Sequence, residues 1–160
     1  MFGIGVPATR RRAKWIALGL LTAALGAPPV HAQAQAAPAA RVFASDAGMV
    51  LNFIKPDKTA DFESVISKLK EALTKSEKPE RKQQAASWKV FKSPDPAQGG
   101  NVLYVFMIDP AVKGADYTVS TILAEVFPPA EVNTIYKQYA ESYATGQNFV
   151  NLALVSALGK

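Results

Sequence analysis

Few side chains in this sequence could handle a ligand, and they sit in apolar surroundings. Asn52 is the one polar residue between Met49 and Ile54. Its amide could face a cavity and orient a ligand, or it could bond neighbouring backbone or a buried water. Trp88, Tyr104 and Tyr117 offer aromatic walls for a pocket, and the same rings serve as ordinary strand core. Tyr136, Tyr139 and Tyr143 recur at helical spacing, a stripe expected to pack onto a sheet. Asp109 and Asp116 follow the apolar run at 102–108 and are the acids best placed to move a proton, although turns and helix caps are the ordinary use of aspartate there. Gly99-Gly100 follows no strand-to-helix pattern and reads as a turn, not a phosphate cradle. No residue is assigned a catalytic role, and neither a metal nor an organic cofactor is expected.

The chain has no Cys and one His, His31. That histidine closes a leader. Arg10, Arg11, Arg12 and Lys14 form a basic segment, and residues 15–27 are an apolar run too short to span a bilayer comfortably. Val30-His31-Ala32 then gives a small-x-small cleavage site before Gln33, with Ala32-Gln33-Ala34 as a second candidate. Residues 1–32 are therefore expected to be a secretory signal. Thr9-Arg10-Arg11 partly matches a twin-arginine signal, and an uncut membrane anchor is the alternative fate of the segment.

Taking those four basic residues from 18 leaves 14 Lys and Arg against 13 Asp and Glu, a net charge of +1. Nucleic-acid binding needs a concentrated basic surface, so no nucleic-acid partner is expected. Without His or Cys the mature chain has no thiolate or imidazole metal site, no Cys nucleophile and no Ser-His-Asp arrangement. Disulfides and the acylated cysteine of a lipoprotein are excluded as well. The expected location is periplasm or medium, with no integral membrane segment after cleavage. Residues 33–40 are Ala, Gln and Pro with too little apolar area to offset chain entropy, a disordered spacer. Residues 41–160 are expected to form a single α+β domain, large enough to bury about two-thirds of its unfolded surface.

Along that domain, residues 49–54 predict a strand stopped by Lys55-Pro56-Asp57. Over 59–75, Phe62, Val65, Ile66, Leu69 and Leu73 recur at helical spacing with charges opposite, an amphipathic helix that Asp57 or Thr59 can cap. From Lys68 to Lys82 the chain holds six basic and three acidic residues. They read as a solvated helix end, with an acidic partner or lipid surface as the rarer use. Residues 75–84, with Pro79, read as a connection, and 86–92, with Trp88, Val90 and Phe91, as a second strand. A turn-rich loop leads to a continuously apolar third strand at 102–108. Residues 117–127 put Val119, Ile122, Leu123 and Val126 on one helical face before Pro128-Pro129. A further helix then runs from about Pro129, with Val132, Ile135, Tyr136, Tyr139 and Tyr143 inward and Gly146 past its end. Residues 149–155 alternate as a strand, though a short terminal helix also suits them.

The order is β-α-β-β-α-β, the ferredoxin-like arrangement of a four-stranded antiparallel sheet with helices on one face. Its first and third strands should be central, and the second, with Ser87, Lys89 and Lys92, an edge. Yet the third strand presents Val102, Tyr104, Phe106 and Ile108 on one side and Leu103, Val105 and Met107 on the other, apolar on both. A second copy packed sheet against sheet would cover the helix-free face, which predicts a homodimer.

In this element order, and in a strand running into Lys55-Pro56-Asp57-Lys58 before a helix with Phe62 in its first turns, the chain resembles the dimeric α/β-barrel superfamily. That group includes antibiotic-biosynthesis-type monooxygenase domains, and the resemblance covers most of residues 45–158. It implies a barrel interior that binds small, often aromatic or polyketide-like molecules, which some members oxidise without metal or organic cofactor. Members that degrade haem usually use a histidine ligand, which the mature chain lacks. The family has no universal catalytic motif, so no catalytic residue carries over.

The expected function is that of an exported, non-catalytic homodimer binding a small apolar or aromatic molecule between its sheets, with Asn52, Trp88, Tyr104 and Tyr117 at the ligand. One alternative is a cofactor-independent monooxygenase or isomerase, with Asn52 and Tyr104 positioning substrate and Asp109 or Asp116 moving a proton. Another is an envelope interaction module whose open face packs on a different protein.

Overall fold

A computed structural model describes residues 40–159. The expected signal at 1–32, and all but the last residue of the expected spacer at 33–40, lie outside the described residues. The first strand, β1, is Ala47–Ile54. A 3-10 turn at Pro56–Lys58 leads into α1, Thr59–Lys75, the span read from its apolar period. Neither Asp57 nor Thr59 caps it. Lys58 holds the N-cap position without a side-chain cap bond and pairs with Asp61 at 3.0 Å.

The segment expected as a connection contains a helix, α2, Pro79–Ser87, and the second strand, β2, is Trp88–Pro96 instead of 86–92. Proline is tolerated in the first helical turn. The inward residues of α2 are Arg81, Gln84 and Ser87, so no hydrophobic period marks the helix in the sequence. Arg81 is only 2 % exposed, which corrects the reading of the 68–82 charges as a wholly solvated face.

After a turn at Gln98–Gly100, in which Gly99 and Gly100 take φ of 72° and 75°, β3 runs over Val102–Ile108. The helix expected over 117–127 is a shorter α3, Val119–Ala124, because Thr118 before it stays extended. Helix α4 is Pro129–Ser142 and strand β4 is Asn148–Leu152, so the terminal segment is strand only to Leu152.

The sheet order is β2-β3-β1-β4 with every neighbouring pair antiparallel, an α+β arrangement compatible with a ferredoxin-like fold. Register sets Asn52 opposite Tyr104, Val50 opposite Phe106 and Trp88 opposite Ile108. Helix α1 touches α2, α3 and α4. Beneath the helices, Val50, Ile54, Phe106 and Ile108 join Phe62, Val65, Ile122 and Leu123 in one core. The alternate residues Met49, Leu51, Phe53, Leu103, Val105 and Met107 point to the opposite face, where they are only partly covered. Phe91 is 53 % exposed. No helix among the described residues is long and apolar enough to cross a membrane.

Gly48 in β1 makes room for a ring. A Cβ there would lie 2.0 Å from ring carbons of Phe43, and Phe43 stacks on Phe149 at 4.1 Å and meets Tyr117 edge-on at 5.1 Å. Gly48→Ala should therefore cost about 1–3 kcal/mol through overpacking, read as a lower urea midpoint. An unchanged midpoint would show that Phe43 is not seated against β1.

Candidate functional site

Between α4 and the sheet lies a cavity of about 250 Å³, a little smaller than the usual site for a drug-sized ligand. Val50, Phe106, Ile108 and Trp88 line it from the sheet. Strand alternation and register put all four on the helix-covered face. Helix α4 adds Tyr136, Tyr139 and Tyr143, three and four residues apart and so on one stripe. Tyr136, expected inward, is 50 % exposed and stands at the cavity mouth. Tyr117 and Thr118 before α3, and Gln147 and Phe149 after α4, complete the walls, with the exposed Arg41 at the rim.

An amide network organises one part of this wall. Asn52 is fully buried. Its Nδ2 donates to the carbonyls of Val50 and Tyr104, both at 3.1 Å, and its Oδ1 accepts from the Tyr143 hydroxyl at 2.9 Å and Gln147 Nε2 at 2.8 Å. All its hydrogen-bonding positions are thereby used. Asn52 does not itself line the cavity; it holds two residues that do. Gln147 Nε2 also lies 2.8 Å from the Tyr139 hydroxyl and 2.7 Å from that of Tyr143, and Gln147 Oε1 accepts from the Arg41 guanidinium. Burial pushes the Tyr139 pKa up to about 12 and raises that of Tyr143 well above the ordinary tyrosine value. Both hydroxyls stay protonated at neutral pH.

Of the residues singled out in the sequence, Trp88 and Tyr117 meet in this cavity, their ring centroids 5.4 Å apart. The indole Nε1 of Trp88 is buried with no hydrogen-bond partner among the described residues. Tyr104 lies elsewhere in the core, 4.8 Å from the Phe62 ring, and its hydroxyl donates to Glu63 at 2.5 Å. Asp109 is exposed, and neither it nor Asp116 lines the cavity. Asp116 serves a turn: its Oδ1 accepts from the backbone N–H of Thr118 at 2.8 Å and of Arg41 at 2.9 Å. Partial burial pushes the Asp116 carboxyl up, but the bonds from Thr118, Arg41 and Thr121 outweigh it and hold the group below its ordinary value.

Sequence reasoning missed Arg41, Gln147 and Arg81. A signal existed for the network, because tyrosines on an inward stripe need polar partners for their hydroxyls. Nothing in the spacing pointed to Gln147 as that partner. Arg81 braces the wall from behind: its Nη2 and Nε bond Glu125 at 2.7 and 3.1 Å, and its Nη1 donates to the Asp116 carbonyl and Gln84 Oε1, both at 2.6 Å.

The Arg81 bond holds the Glu125 carboxyl below its ordinary value, despite partial burial. A carboxyl whose folded pKa is depressed contributes stability that is present above the unfolded value and lost as pH falls toward the folded one. The urea midpoint should therefore be level near neutrality and drop as pH falls below about 4.5. The double variant Arg81→Leu/Glu125→Leu should drop less steeply, and identical acid profiles would count against Glu125 as a contributor. Among the described residues no group of Asp, Glu, His or Cys gathers so as to hold a metal ion. Compared with known proteins, the chain matches no family model, no curated protein and no solved structure.

Proposed function

We propose that this is an exported, non-catalytic homodimer that holds a small aromatic or apolar molecule, and that the molecule lodges beneath α4 in each copy, not between the two sheets. The cavity carries the reading: seven aromatic residues line it, its polar part is tied to Asn52, and its volume suits a small ring system. Trp88 and Tyr117, read from the sequence as aromatic wall, both belong to it. The dimer is supported by the open sheet face, where Met49, Leu51, Phe53, Leu103, Val105 and Met107 adjoin. A contiguous apolar face of this kind is what a partner ordinarily covers. Element order and the central β1 and β3 support kinship with the dimeric α/β-barrel superfamily. Export rests on the leader at 1–32.

Native mass spectrometry of the protein purified from its own host tests the reading. The expected spectrum is a dimer of chains beginning at Gln33 that carries a small molecule and releases it on activation. A monomer without adduct would contradict it, and a complex with a different protein would favour an envelope interaction module. A chain beginning at Met1 in exported material would contradict removal of the leader.

A further inference from the structure

We infer that the cavity beneath α4 selects aromatic carboxylates, with the ring among Trp88, Tyr117 and Phe149 and the carboxylate on the Arg41 guanidinium. This rests on the cavity being a ligand site. Among the described residues, the Arg41 side chain is the one formal charge in the lining, and no Asp or Glu lines the cavity. Of its five N–H donors, one is engaged among the described residues, at Gln147 Oε1. The remaining fork matches the two oxygens of a carboxylate.

Gln147 Oε1 receives Arg41, and its Nε2 is turned to Asn52 and the two tyrosines. Ser120, whose side chain can donate as well as accept, is also among the lining residues. A ligand bearing acceptors and negative charge is thus complementary to this wall, and an ammonium group is repelled by Arg41. The arginine charge reaches the polar part of the cavity, because it opposes the rise of the Tyr139 and Tyr143 pKa values.

Calorimetric titration with cinnamate, cinnamyl alcohol and cinnamylamine, three compounds of one shape and different charge, tests this on the full protein. The expected order is carboxylate, alcohol, amine, with cinnamate bound at least about tenfold more tightly than the alcohol. That preference should shrink at high salt. Arg41→Gln keeps the backbone N–H that bonds Asp116 and should reduce the preference of carboxylate over alcohol to near unity. Arg41→Lys should give an intermediate value, and circular dichroism of both variants checks that they fold. Equal binding of cinnamate and alcohol, tighter binding of the amine, or a carboxylate preference that survives Arg41→Gln would each overturn the assignment while leaving the cavity as a ligand site. Failure of all three compounds to bind, with the fold intact, would overturn the ligand site and the assignment with it.

Discussion

Arg81→Leu should destabilise the protein by about 3–5 kcal/mol, because it strands the largely buried Glu125 carboxylate without its main partner. It also removes the donors that serve Gln84 Oε1 and the Asp116 carbonyl. Lys78, 2.8 Å from Glu125, is too exposed to replace a bidentate guanidinium. Arg81→Leu/Glu125→Leu should recover much of the loss, since a buried ion pair exchanged for apolar residues is often close to neutral. Urea denaturation checks both. A single-variant cost under about 1 kcal/mol, or a double variant worse than the single, would contradict a buried pair that braces the Asp116 to Thr118 segment. Because Tyr117 and Thr118 line the cavity, the single variant should also bind ligand more weakly.

Leu51→Glu should leave the fold intact and separate the proposed dimer. Leu51 lies on the open face of β1, opposite Val105 of β3 and Asn148 of β4. A glutamate there meets water in a lone chain, but two-fold pairing buries one unpartnered charge from each copy, at several kcal/mol apiece. The dimer dissociation constant should rise a hundredfold or more. Light scattering at micromolar concentration should report twice the chain mass for the wild type and the single chain mass for the variant, with unchanged circular dichroism. A variant that stays dimeric, or a wild type that is monomeric, would remove the open sheet face from the account.

Much of the fold was legible because it rests on apolar periodicity. Phe62, Val65, Leu69 and Leu73 mark α1 by spacing alone, and residues 102–108 announce a central strand by their unbroken apolar run. Helix α2 was illegible for the opposite reason: it turns Arg81 and Gln84 inward, and a buried polar face has no hydrophobic period. Thr118 shortened α3, since hydrogen bonds around Asp116 hold that segment extended where periodicity continues. At the site, the aromatic residues were visible and their company was not. Trp88 and Tyr117 were singled out, but only register and the α4 stripe reveal that they share a cavity with Tyr139 and Tyr143 while Tyr104 does not. Asn52 stood out as the polar residue of an apolar strand; its use as an anchor for Gln147 depends on a loop 95 residues away.

With the proposed leader removed, Trp88 is the only tryptophan of the chain and lines the proposed site, so its emission reports directly on whether a ligand lodges there. Emission should be blue-shifted, because the ring lies against Phe106 and Tyr117 with its Nε1 buried. Small aromatic compounds such as cinnamate should change it saturably, and Trp88→Phe should fold and lose the signal. A blue-shifted emission indifferent to every aromatic compound would reduce Trp88 to packing, with Trp88→Ala costing about 3–5 kcal/mol of stability and nothing else. That result, in protein that is folded and dimeric, would contradict a ligand site beneath α4.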